Sequence, residues 1–226
     1  MPATTQTKPA IADQSALTRL GAAVRARLAA DPSVYKLPDA RAEIFTVTGF
    51  LSPAECTRLI ALIDEVARPS PVYEGENDGS YRTSFSGDVD PENSFVRMIE
   101  RRICDLMGID QRWSEMFQGQ RYALGQEFKA HYDAFNTSAD YWPCEVRRGG
   151  QRSWTAMAWL NEVEEGGVTN FPQLGIGFPP QPGMLLMWNN ARPDGTLNPA
   201  VIHAGTPVVR GVKYVITKWF RTRQWS

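Results

Sequence analysis

The amino-acid sequence predicts a mainly β fold, a double-sheet barrel or jelly roll with helices packed on one of its sheets. Helical periodicity is confined to the chain before Gly108, and all seven tryptophans lie from Trp113 onward. Beyond Gly108, β-branched and aromatic residues alternate with polar ones in short runs that glycine- and proline-containing turns separate. Many short strands at this spacing are typical of sandwiches and barrels.

The first predicted helix starts near Asp13 and stops at Asp31-Pro32. Its apolar residues recur at helical spacing, which predicts one buried face. They are Leu17, Leu20, Val24 and Leu28. A strand is predicted next, at 44–47.

The second and third helices have recognisable starts. In 52–55, Ser-Pro-Ala-Glu supplies a cap, a proline at the first helical position and a glutamate at the third, which together predict a capping box. Asp90-Pro91 predicts the start of the third helix, whose apolar side begins at Phe95. Between the two helices, 68–80 is predicted as an exposed loop and 81–86 as a short strand.

The C-terminal half is predicted to contain seven strands, near 115–123, 127–133, 153–160, 168–171, 183–188, 200–204 and 212–221. Residues 1–13 are polar and lack periodicity, and they are predicted to be disordered. Residues 14–226 are predicted to form one domain, with helical support over 14–110 and a barrel core over 111–222.

Composition excludes several classes of protein. The formal net charge of −1 argues against a generally basic nucleic-acid binder. No apolar run is long enough to span a membrane, and the first residues lack the apolar segment of a secretory signal. Three widely spaced cysteines, Cys56, Cys104 and Cys144, indicate reduced thiols. We therefore expect a cytoplasmic protein without nucleic-acid or membrane partners.

The sequence contains only two histidines, His131 and His203. His131 and Asp133 are two residues apart, so on a strand they face the same side. A barrel can bring His203 beside them from another predicted strand. Two histidines and one carboxylate are the ligand set of non-haem Fe(II) oxygenases, in which three protein ligands leave coordination positions open. The alternative is a surface strand whose carboxylate forms a salt bridge.

Lys213 follows His203 by ten residues, within the largely apolar run 212–220. If its side chain faces inward, it must pair with an anion. The alternative is a lysine that extends to the rim of the barrel. Lys218 is an odd number of residues away, so we expect it to face the opposite side, into solvent.

The segment from 122 to 221 resembles the catalytic domain of prolyl 4-hydroxylases, within the Fe(II)/2-oxoglutarate dioxygenase superfamily. The residues that carry the resemblance keep the order and gaps of that domain. They are 122–126, 131–135, 149–152, 160, 164–172, 183–189 and 203–219, with 82–84 upstream. The resemblance implies a distorted double-stranded β-helix.

The resemblance also implies roles for individual residues. His131, Asp133 and His203 would bind Fe(II), and Lys213 would bind the distal carboxylate of the cosubstrate 2-oxoglutarate. The side chains that would add hydroxyl hydrogen bonds to the cosubstrate are Thr169 and Tyr122. The side chains that would contact the substrate are Arg152, Trp219 and Arg82.

The implied reaction consumes 2-oxoglutarate and O₂, forms succinate and CO₂, and hydroxylates a prolyl residue of a peptide or protein, with ascorbate as reductant. Two departures lie at positions that we expect on the substrate side: Phe128 stands where the family often has tyrosine, and Arg221 where it often has histidine. The alternatives are a hydroxylase of a free amino acid or other small molecule, and a non-catalytic binding module on the same barrel.

Overall fold

The structure is a computed structural model that describes residues 14–71 and 80–226. The helices in these residues are α1 (Gln14–Ala29), α2 (Pro53–Val66), α3 (Ser94–Met107) and α4 (Trp142–Arg147). The strands are β1 (Tyr35–Lys36), β2 (Ile44–Val47), β3 (Arg68–Pro69), β4 (Phe85–Asp88), β5 (Gln118–Tyr122), β6 (Phe128–His131), β7 (Arg152–Trp159), β8 (Glu165–Gly166), β9 (Thr169–Phe171), β10 (Ile176–Phe178), β11 (Leu185–Asn189), β12 (His203–Gly205), β13 (Val208–Arg210) and β14 (Lys213–Arg221).

The strands form a major and a minor antiparallel sheet and a short ribbon. The major sheet has the order β1-β2-β11-β7-β14-β5-β4-β3, the minor sheet β10-β9-β12-β6, and the ribbon pairs β13 with β8. The major and minor sheets line a common cavity and are open at their edges. The expected mainly β fold of the distorted double-stranded β-helix type is confirmed.

Helices α1, α2 and α3 pack on the face of the major sheet that is turned away from the minor sheet. Their apolar side chains and that face form one core, in which Leu59 and Ile99 join Trp154 and Phe220. A second core fills the space between the two sheets. The central strands of the major sheet are therefore buried on both faces.

The capping box predicted for α2 is confirmed. The Glu55 N–H donates to Ser52 Oγ at 3.3 Å, and the Ser52 N–H donates to Glu55 Oε2 at 2.8 Å. The predicted start of α3 is wrong by one turn. Asn93 caps this helix by accepting the Phe95 N–H, whereas Asp90 accepts the Glu92 N–H and forms the preceding turn.

The predicted strands near the two sheet edges differ from those observed. The strand predicted over 81–86 lies at β4, and the strand predicted over 200–204 starts only at His203. A 3-10 helix, Pro199–Val201, precedes it because Asn198 caps that turn. Part of the predicted loop 68–80 pairs with β4 as strand β3. Residues 72–79 of that predicted loop, and the segment 1–13 predicted to be disordered, lie outside the described residues.

The prediction that Lys218 faces solvent is wrong. The side chain does point away from Lys213 along β14, but it is only 1% exposed and its ammonium pairs with the carboxylate of Glu100 on α3. It also lies 4.9 Å above the Phe117 ring. The alternation of β14 was predicted correctly, but the helices cover its other face.

Among residues 14–71 and 80–226, no helix has both the length and the apolar composition that a membrane-spanning helix requires.

Candidate metal centre and its flanking cavities

The two histidines and Asp133 meet in the minor sheet. Strands β6 and β12 are neighbours, and His131 lies directly opposite His203 in their register. Asp133 follows β6, and its carboxylate oxygens lie 3.9 Å from His131 Nε2 and 3.8 Å from His203 Nε2. One ligand atom from each of the three residues lies within 4.8 Å of the others. This spacing suits one metal ion.

The surroundings of each imidazole set its orientation. The Nδ1 atom of His131 lies 2.8 Å from the Lys129 carbonyl, and that of His203 lies 3.1 Å from the Val201 carbonyl. A carbonyl only accepts, so each Nδ1 carries the proton and each Nε2 presents a lone pair toward Asp133. The His131 ring also stacks on Phe128, with 3.5 Å between centroids.

The charge states of His131 and Asp133 are those of metal ligands. Burial, followed by the proximity of His203, lowers the pKa of His131 to about 3, so its imidazole is neutral. Burial alone would raise the pKa of Asp133, but the two imidazoles, Arg152 and the Thr155 hydroxyl outweigh it and lower that pKa. Neutral imidazole and ionised carboxylate are the forms that bind metals.

Thr155 of the major sheet holds Asp133, and Asn190 in turn holds Thr155. Thr155 Oγ1 donates to Asp133 Oδ2 at 2.7 Å, and Asn190 Nδ2 donates to Thr155 Oγ1 at 3.1 Å. Sequence reasoning missed both residues, because they are distant along the chain from Asp133 and carry no motif.

A small cavity of about 30 Å³ adjoins the three residues, between the two sheets. Lys213, Thr169 and Tyr122 all line it, as the resemblance implies. The Lys213 ammonium donates to Thr169 Oγ1 at a long 3.4 Å and lies 5.2 Å above the Tyr122 ring. Lys213 is 2% exposed, and burial lowers its pKa to about 7. No carboxylate among the described residues pairs with it, so the cavity suits an anion.

A larger groove of about 780 Å³ opens on the other side of the candidate metal centre. Arg82, Arg152 and Trp219 line it, together with His131 and Asp133. The remaining lining contains five aromatic side chains, Tyr81, Phe128, Tyr132, Phe135 and Tyr141. The structure therefore brings all nine predicted site residues to one centre and its two flanking cavities.

Arg152, which lines the groove, and Arg221 are both held by the partly buried carboxylate of Glu115, which sequence reasoning missed. Glu115 accepts two hydrogen bonds from Arg152, both at 2.7 Å, and one from Arg221 at 2.8 Å. Arg221 also donates to Glu145 Oε2 at 2.7 Å and is 1% exposed. Arg221 does not line the groove, so its expected position on the substrate side is wrong. It donates instead to Glu115, the residue that holds Arg152.

Two glutamines near Tyr122 were also missed. Gln118 lines the groove and Gln120 lines the small cavity. Their spacing in Gln118-Gly119-Gln120-Arg121-Tyr122 is the available signal, because alternate residues of a strand share a face.

Comparisons with known proteins place this geometry in a family. The model of the 2OG-Fe(II) oxygenase superfamily matches residues 117–221. Probable prolyl 4-hydroxylase 3 of Arabidopsis thaliana is 32% identical over 206 residues, which are 80% of this chain and 70% of that relative. The chain is a prolyl 4-hydroxylase-like member of the 2OG-Fe(II) oxygenase superfamily. It is thus a dioxygenase that uses Fe(II), 2-oxoglutarate and O₂.

Solved structures agree with this assignment. The viral collagen prolyl hydroxylase of Paramecium bursaria Chlorella virus-1, solved as a 2OG complex, is 27% identical, with a TM-score of 0.63. The match covers 79% of this dioxygenase and 95% of the viral chain. A Pseudomonas putida prolyl-4-hydroxylase, 19% identical with a TM-score of 0.55, shares the fold.

Proposed function

We propose that this dioxygenase hydroxylates a prolyl residue of a peptide or protein at C4, with conversion of 2-oxoglutarate and O₂ to succinate and CO₂. One observation carries the proposal: the His131, Asp133 and His203 cluster lies between a buried cation at Lys213 and an open aromatic groove. A metal site with an anion cavity on one side and a peptide-sized groove on the other suits this two-substrate reaction.

We assign Fe(II) binding to His131, Asp133 and His203. Their donor set is two imidazole nitrogens and one carboxylate, which fits non-haem Fe(II). Bound iron supplies the activation of O₂ and of the C–H bond. The protein contributes the orientation of the ligands, through the carbonyls behind the imidazoles and through Thr155 behind Asp133.

We assign the distal carboxylate of 2-oxoglutarate to Lys213 and Thr169. A buried ammonium with one long hydrogen bond is costly, and a carboxylate offsets that cost by charge-assisted hydrogen bonds. Tyr122 lies in the same cavity and is assigned to the cosubstrate as a further hydroxyl.

We assign the substrate to the groove and its contacts to Arg82, Arg152 and Trp219. The Arg152 guanidinium stacks 4.0 Å above the Trp219 ring and is held by Glu115. Aromatic walls and fixed donors suit an extended proline-containing segment, whose ring packs on aromatic faces and whose carbonyls accept hydrogen bonds. The size of the groove favours a peptide over a free amino acid.

We further propose a reducing compartment such as the cytoplasm, and ascorbate as the reductant. The support for the compartment is that Cys56, Cys104 and Cys144 form no disulfide and that two of them are buried.

The proposal is tested by incubating the purified protein with Fe(II), ascorbate, 2-oxoglutarate and O₂, and with either proline-containing peptides or free L-proline. Mass spectrometry should show one added oxygen on a peptidyl proline, with an equal amount of succinate. A His203→Ala variant is the control and should form neither product. Oxygen added to free proline alone would support the small-molecule alternative instead.

A further inference from the structure

Three polar side chains of β5 share one face and connect the groove to the cosubstrate cavity. Gln118, Gln120 and Tyr122 are alternate residues, so their side chains point in the same direction. Gln118 lines the groove, whereas Gln120 and Tyr122 line the cavity and are 6% and 4% exposed. Buried amides are rare without full hydrogen bonding, so the partners of Gln120 are informative.

These side chains form a chain of hydrogen bonds that starts at Arg82. Arg82 Nη2 donates to Gln118 Oε1 at 2.8 Å, and Gln120 Nε2 donates to the same oxygen at 3.4 Å. The Tyr122 hydroxyl donates to Gln120 Oε1 at 2.7 Å. We call the four residues Arg82, Gln118, Gln120 and Tyr122 the β5 relay.

The guanidinium sets the direction of every bond in the β5 relay. Arginine only donates, so Gln118 must present its oxygen to Arg82. That oxygen faces the amide nitrogen of Gln120, so the oxygen of Gln120 is left for Tyr122. Tyr122 has a single proton, and in this arrangement it points to Gln120 and not to a carboxylate in the cavity.

The opposite direction is also consistent with the surroundings. Thr217 Oγ1 accepts from Gln120 Nε2 at 3.2 Å, and a hydroxyl can equally donate to an amide oxygen. With both amides turned over, Gln118 nitrogen would donate to Gln120, and Gln120 nitrogen to the Tyr122 oxygen. The Tyr122 proton would then be free for the cosubstrate.

We propose that Gln118 and Gln120 are positioning residues that couple the groove to cosubstrate binding by setting the direction of the Tyr122 hydroxyl. A substrate carbonyl that takes the Arg82 guanidinium from Gln118 removes the constraint, both amides turn over, and Tyr122 donates to the 2-oxoglutarate carboxylate. The inference rests on the proposed function. Because coupling is reciprocal, 2-oxoglutarate in turn strengthens substrate binding at Arg82.

The test measures 2-oxoglutarate affinity without any peptide, by calorimetry on Mn(II)-loaded protein. Gln118→Leu removes the acceptor that fixes Gln120 and leaves the net charge unchanged. It should tighten 2-oxoglutarate binding about three- to ten-fold, the range of one hydrogen bond. Gln118→Glu is the matched control: it keeps an acceptor between Arg82 and Gln120, so it should not tighten binding. Gln118→Met is a second apolar replacement and should behave as Gln118→Leu.

A double-mutant cycle tests whether Gln118 acts on 2-oxoglutarate binding through Gln120 and Tyr122. In a Gln120→Leu background, and separately in Tyr122→Phe, the Gln118→Leu change should leave the affinity unaltered. Unchanged or weaker binding in Gln118→Leu, or an equal effect in all backgrounds, would overturn the inference and leave the proposed function intact. If the wild-type protein does not bind 2-oxoglutarate at all, the proposed function fails and the inference fails with it.

Discussion

Lys213 illustrates how one buried cation specifies a ligand. Its ammonium is taken out of water by β14 and the minor sheet, and Thr169 is a weak replacement for the lost hydration. Burial therefore lowers its pKa to about 7, so that near neutral pH Lys213 is only partly protonated when no ligand is bound. A bound carboxylate stabilises the protonated form of the lysine.

Replacement of Lys213 by methionine should weaken 2-oxoglutarate binding by about 10- to 100-fold, the contribution of a hydrogen bond to a charged group. Methionine keeps the length of the side chain and removes its charge. Calorimetric titration of the Mn(II)-loaded variant measures the change. Lys36→Met alters an exposed lysine on β1 and serves as the control. A normal affinity in Lys213→Met would refute the assignment of this residue.

The affinity for 2-oxoglutarate should decrease with rising pH. Lys213 binds the carboxylate in its charged form, and a bound carboxylate raises its pKa above the free value of about 7. Affinity is therefore full below about pH 7 and is lost as pH rises above it, by up to about tenfold per pH unit, until the raised pKa is reached. Titrations between about pH 6 and about pH 9 measure this slope. Lys213→Met should abolish it.

At the scale of elements, β14 lies between the cavities on one side and the helices on the other. One face presents Lys213, Thr217 and Trp219 to the cavities, and the other presents Lys218 to the helices. Glu100 on α3 accepts from Lys218, from Gln111 and, at 3.4 Å, from Ser114. A buried ion pair thus fixes the position of α3 on the strand that carries the cosubstrate lysine.

Lys218→Met should destabilise the protein by about 3–5 kcal/mol, because it leaves Glu100 buried without its cation. Adding Glu100→Gln should recover part of that loss, since the unpaired charge disappears. Denaturant unfolding measures both free energies. The exposed pair of Arg97 and Glu92 offers a matched control, and Arg97→Met should change stability by less than about 1 kcal/mol. A similar loss in the single and double variants would contradict the role of the ion pair.

At the scale of the whole molecule, the candidate metal centre connects the minor sheet to the major one. Asp133 follows a minor-sheet strand, yet it is held by Thr155 from the major sheet. A bound ion would therefore link the two layers, and binding to the folded state alone stabilises a protein.

Mn(II) at about 100 times its dissociation constant should stabilise the protein by about 2.7 kcal/mol and raise the midpoint of thermal unfolding by about 5–10 °C. Differential scanning calorimetry measures the shift, and a chelator should reverse it. His131→Ala and His203→Ala should fold, since neither side chain fills the core between sheet and helices, but they should lose the shift. A shift that persists in both variants would place the metal elsewhere.

Much of the site could be predicted from the sequence because its signals are local. Ser52 and Glu55 cap α2 through atoms three residues apart, and His131 and Asp133 face one point because a strand alternates. These two features depend on neighbours along the chain, which the sequence displays directly. The type of barrel and the placement of Lys213 were implied by the resemblance to prolyl 4-hydroxylases, which the order of motifs from Tyr122 onward carries.

The remainder depended on which surfaces meet in space. The alternation of β14 shows that Lys218 and Lys213 point to opposite faces of the sheet. Only the packing of α3 shows that the face of Lys218 is buried and not exposed to solvent. Likewise, Arg221 and Arg152 are drawn to Glu115, and the Tyr122 proton is directed to Gln120 by an arginine from outside its strand. A side chain's environment is set by the element that covers it, and that element is remote in sequence.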